Sequence, residues 1–66
     1  MIVEVTVLML SGRQIGGRLD VASVPELEDL MADRGGTIRL AGREVVLAFV
    51  QDWHYRRITP HDGPGV

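Results

Sequence analysis

The sequence predicts an α+β fold, a four-stranded mixed sheet with one helix packed on one face. Three observations lead there. Residues 2–10 and 45–50 are runs dominated by apolar side chains and rich in valine, which suits strands covered on both faces and central in a sheet. Each run is joined by a turn signal to a more polar segment. Between the two pairs lies a single stretch of helical periodicity with a marked start.

Within residues 2–10 the odd positions Val3, Val5, Val7 and Met9 form a clean core face, because successive side chains of a strand point to opposite sides. The even positions Ile2, Glu4, Thr6, Leu8 and Leu10 are mixed, and Leu8 and Leu10 gather at the C-terminal end. Ser11-Gly12 is a tight-turn signal. Residues 13–21 then alternate, with Ile15, Leu19 and Val21 on one side and Gln14, Arg18 and Asp20 on the other. That is a half-buried strand, antiparallel to the first. Gly16-Gly17 inside it predicts a bulge or twist. A phosphate-cradling loop would need these glycines to lead directly into a helix and a Lys-Ser/Thr pair to follow, and neither condition is met.

Ser23-Val24-Pro25-Glu26 has the spacing of a capping box, with proline in the first turn where its missing N–H costs little. Val24, Leu27, Leu30 and Met31 make the apolar stripe of the helix, and Gly35-Gly36 is its stop. The acidic positions Glu26, Glu28, Asp29 and Asp33 read as a solvated helix face, since no ligand spacing is present. Residues 37–40 are a short third strand, residues 41–43 a turn, and the second apolar run is the fourth strand. Val45, Leu47 and Phe49 are expected to face the helix, with Val46, Ala48 and Val50 facing away. The alternation continues to Ile58, so an unbroken strand over 44–58 would span roughly 50 Å. No other strand could match that length, so it must bend or pair its second half with another chain.

Placing both apolar strands centrally gives the sheet order 2-1-4-3, with strands 1 and 4 parallel neighbours and the helix as a right-handed crossover. This is the ββαββ β-grasp arrangement. Residues 1–58 form one small domain and residues 59–66, with two prolines and two glycines, an irregular tail. The pattern Val3-x-Val5, Ser11-Gly12-Arg13-x-Ile15, Leu19-x-Val21, Ser23-x-x-Glu26-x-x-x-Leu30, together with residues 40–44, resembles the ubiquitin-like proteins over roughly two-thirds of the chain. That resemblance implies a small binding module. The chain departs from ubiquitin-type modifiers at its end, Asp62-Gly63-Pro64-Gly65-Val66, where those proteins carry a free Gly-Gly.

Composition narrows the chemistry. There is no cysteine for a disulfide framework or a thiolate zinc site. All seven cations are arginine, so no lysine is present for Schiff-base or phosphate-loop roles. The formal charge of −2 is too small to indicate a polyanion or membrane-surface binder, although residues 1–34 hold six acids against three arginines. Glu4 within the first apolar run argues against a signal peptide or membrane span, and a cytoplasmic setting is expected. Ser11 and Ser23 are explained as turn and cap. Asp52, His54, His61 and Asp62 match no metal-ligand spacing. No enzymatic activity, cofactor, metal or small-molecule substrate is expected.

What remains is a small non-enzymatic protein–protein interaction or assembly subunit, self-associating as a homodimer or larger. The helix-free sheet face would supply the surface through Ile2, Leu8, Leu10, Val46, Ala48 and Val50, with Trp53 and Tyr55 beside them. The alternative is a nucleic-acid-binding regulator, because Trp53, His54, Tyr55, Arg56 and Arg57 interleave aromatic with cationic side chains.

Overall fold

In the computed structural model, residues 1–58 are described, and the expected tail with His61 and Asp62 lies outside them. The elements are β1 (Ile2–Met9), β2 (Gln14–Asp20), α1 (Val24–Ala32), β3 (Thr37–Leu40), β4 (Arg43–Val46), a 3₁₀ turn (Leu47–Phe49) and β5 (Val50–Ile58). They form a three-stranded antiparallel sheet of order β2-β1-β5 and a separate β3-β4 hairpin.

This arrangement overturns the expected four-stranded 2-1-4-3 sheet of the β-grasp type. The strand expected over 44–58 is two strands separated by the 3₁₀ turn, and its second half pairs antiparallel with β1 in the same chain. Length explains the choice. β4 has four residues and can accompany only the four of β3, whereas the nine residues of β5 match the eight of β1. Polarity agrees, because β5 alternates as a strand with one covered face should. The β1–β5 register sets Glu4 opposite Arg56 and Thr6 opposite His54.

β1 is central, as its composition implies. Val3, Val5 and Val7 are fully buried under Leu27 and Met31 of α1 and the hairpin residues Ile38, Leu40 and Val45. The first connection is a three-residue loop, not the two-residue turn Ser11-Gly12. The Gly12 N–H donates to the Met9 carbonyl (2.8 Å), the Met9 N–H to the Arg13 carbonyl (2.8 Å), and Gly12 takes a φ of 92°. Gly16-Gly17 forms no bulge, since the β1–β2 register runs through it without a shift. The glycine at 17 instead admits a crossing backbone: a Cβ there would lie 2.6 Å from the Ala41 nitrogen and 3.0 Å from Leu40 backbone atoms. This contact holds the small hairpin against the sheet.

The helix starts as its sequence predicts. Ser23 Oγ accepts from the Glu26 N–H (3.3 Å), and Glu26 Oε2 accepts from the Ala22 N–H (2.8 Å), one residue before the cap. It ends at Ala32, ahead of the glycine pair, because Asp33 turns extended and its Oδ1 accepts from the Gly35 N–H (3.2 Å). Of the expected stripe Leu27 and Met31 are buried, Val24 is half-buried and Leu30 is 41% exposed.

The 3₁₀ turn decides which residues of the last run enter the core. Side chains three apart eclipse in a 3₁₀ turn, so Leu47 and Val50 both point inward. Phe49, expected to face the helix, is 58% exposed, and Val50, expected to face away, is 2% exposed. A register shift between Leu8 and Met9, with Gln51 the extra residue, carries the inward set on to Trp53 and Tyr55.

Two comparisons test this packing. Leu27→Ala should cost about 2–5 kcal/mol in urea unfolding, as for other fully buried leucines, while Leu30→Ala should cost less than about 1 kcal/mol. Gly17→Ala should destabilise by about 1–3 kcal/mol because both crossing backbones must move. Gly16→Ala, whose Cβ would meet its nearest atoms at 3.7 Å, should be neutral or slightly stabilising in the same assay.

Candidate protein interface

Opposite residues of an antiparallel pair share a face, so the β1–β5 and β1–β2 registers assign the side chains of the sheet. The covered face carries Val3, Val5 and Val7 with Ile15 and Leu19 of β2 and Trp53, Tyr55 and Arg57 of β5. The helix-free face carries Ile2, Glu4, Thr6 and Leu8 with Gln14, Arg18 and Asp20, and with Asp52, His54, Arg56 and Ile58.

The residues expected to form one apolar patch are therefore dispersed. Ile2 is exposed at one end of the helix-free face, and Leu8 is half-buried at the other. Val46 lies at the end of β4 and Ala48 in the 3₁₀ turn, both off the three-stranded sheet. Val50 is core, for the reason of 3₁₀ spacing given above. Trp53 and Tyr55 lie on the covered face, half-buried against the core, with ring centroids 6.1 Å apart in a stacked arrangement. The face expected to be apolar is mainly polar at its centre, where Arg56 Nη2 meets Glu4 Oε1 at 2.8 Å.

The same geometry divides the aromatic–cationic run. Trp53, Tyr55 and Arg57 point to one side and His54 and Arg56 to the other. Trp53 and Tyr55 stack on each other and are half-buried against the core, and Arg56 is already paired with a carboxylate.

Two hollows lie on this part of the molecule. One, of about 160 Å³, is lined by Thr6, Leu8, Gln14, Asp52, Trp53 and His54, and is smaller than the pockets that hold drug-sized ligands. The other, of about 330 Å³, lies at the end of the first hairpin, where Leu10 and Phe49 are 61% and 58% exposed beside Met9 and Ile15. The Leu10 N–H donates to the Phe49 carbonyl at 2.8 Å and fixes their proximity. Strand alternation places Phe49 in the core, so this cluster is hidden from the sequence. Among the described residues no group of three or more His, Asp or Glu side chains is placed to hold a metal ion, and no helix is long and apolar enough to cross a membrane.

The edge of the sheet is more informative than its face. The β3–β4 hairpin crosses the covered face of β2 at Gly17, and among the described residues β2 is left with a shorter open edge of seven residues that contains the glycine pair. β5, among the described residues, pairs with β1 alone, so one edge of a nine-residue strand is open. The Trp53 N–H goes to Asp52 Oδ1 (2.8 Å), not to β1. In an antiparallel ladder the hydrogen-bonding direction alternates along a strand, so Trp53, Tyr55 and Arg57 turn their backbone groups toward the open edge. Arg34 Nη1 donates to the Val50 carbonyl (3.2 Å) at the beginning of the strand. No protein-family model, curated protein or solved structure matches the chain.

Arg56 is 76% exposed by its side chain and its ion pair with Glu4 is open to solvent. Arg56→Ala should therefore cost no more than about 1 kcal/mol in urea unfolding, leaving the fold intact for binding measurements.

Proposed function

We propose that the chain is a small non-enzymatic assembly subunit that associates with protein partners, first of all with a second copy of itself. The observation that supports this reading is the open edge of β5. An edge strand of this length presents a row of N–H and C=O groups that have no strand partner, and proteins normally shorten, bend, cover or charge such edges to prevent pairing. Beyond the irregularity at Gln51, residues 52–58 keep an uninterrupted register with β1 and contain no proline. The surface assigned to association thus moves from the helix-free face to the strand edge beside it. The cytoplasmic setting expected from the sequence remains part of this reading.

The size of the domain favours the same reading. A 66-residue chain is near the length at which a single core is marginal, and association stabilises such domains. Sedimentation equilibrium of the full chain between about 1 μM and 1 mM should show a concentration-dependent shift to dimer, with a thermal midpoint that rises with concentration. A monomer throughout this range would sink the reading.

A further inference from the structure

We infer that two copies pair antiparallel through their β5 edges about a two-fold axis at His54, giving a six-stranded sheet of order β2-β1-β5-β5-β1-β2. This rests on the self-association proposed above and adds its partner, register and contacts. β5 runs from Val50 to Ile58, so its midpoint is His54. Antiparallel pairing about that midpoint uses the regular part of the strand beyond Gln51 and sets Trp53 opposite Tyr55 and Asp52 opposite Arg56 of the second copy.

Three independent features meet in this register. The first is hydrogen bonding. Trp53, Tyr55 and Arg57 turn their backbone groups outward, and the register matches Trp53 with Tyr55, one outward-facing residue with another. The second is charge. Asp52 and Arg56 lie on the same face of β5 and meet their opposites twice across the axis. Arg56 would then bridge Glu4 of its own chain and Asp52 of the second copy. Asp52 would exchange its bond to the Trp53 N–H for the guanidinium, as that N–H takes a carbonyl of the other strand. The third is packing. The stacked Trp53–Tyr55 pair is half-buried, and the second copy would lay a Tyr55 and a Trp53 against it. Moving the axis by one residue to Tyr55 sets Asp52 against Ile58 and His54 against Arg56, which loses the charge match.

The experiment uses the full chain. Asp52→Arg and Arg56→Asp should each weaken self-association by at least about tenfold, because each sets like charges opposite one another twice. An equimolar mixture of the two variants should recover a dimer. In the mixed pair, position 52 of one chain, now cationic, faces position 56 of the other, now anionic, and the unsubstituted Arg56 faces the unsubstituted Asp52. Circular dichroism checks that each variant is folded. On the unmodified chain, the Tyr55 and Arg57 amides should exchange more slowly at high than at low concentration, while His54 and Arg56, bonded to β1, change little. A dimer that ignores both substitutions, a mixture that fails to recover with both variants folded, or edge amides unaffected by concentration would overturn the β5 register and leave self-association standing. A wild-type monomer up to about 1 mM would remove the self-association reading itself.

Discussion

Pairing on both sides of β1 is the constraint on which the remaining structure depends. β2 and β5 occupy its two edges, so no third strand can join it. Its odd residues Val3, Val5 and Val7 lose all contact with solvent, and at the usual value of about 25 cal/mol per Å² such burial supplies the main favourable term of a small fold. With both edges of β1 taken, the β3–β4 hairpin can reach the core only from above. It does so by crossing the backbone of β2 where Gly17 leaves room, which places Ile38, Leu40 and Val45 over the valines.

Much of this was legible in the sequence. The odd face of β1, the first hairpin, the Ser23 cap and a turn within residues 41–43 all follow from alternation, capping chemistry and turn residues, and all form, the turn narrowed to Ala41-Gly42 because Arg43 already belongs to β4. Ala41 and Gly42 both take positive φ, 52° and 77°, as a tight two-residue hairpin turn demands. These features are local, and each has one physical explanation that sequence spacing displays directly.

The sheet order was not legible, and the reason lies in residues 45–50. A run that is apolar at every position has no alternation, so its two faces cannot be told apart. The 3₁₀ turn then replaces a period of two with a period of three, which moves Val50 inward and Phe49 outward. The expected interface inherits that error: Val50 belongs to the core, and Val46 and Ala48 lie away from the sheet. The alternation after Gln51 marks an amphipathic strand but does not disclose its partner. The match in length between β5 and β1 becomes visible only once the long run is divided. The same division leaves the Trp53 and Tyr55 rings on the side of the core and turns attention from the face of the sheet to its edge.

The 3₁₀ turn and the extra residue at Gln51 act as a pair of compensating phase shifts. A strand repeats every two residues, and each irregularity adds one residue to that count. Leu47, Val50 and Trp53 are therefore three apart and all inward, and six residues on from Leu47 the chain is back in the phase that plain alternation would give it. Trp53 and Tyr55 reach the covered face as if no break had occurred, while the residues between have changed places, Phe49 outward and Val50 inward.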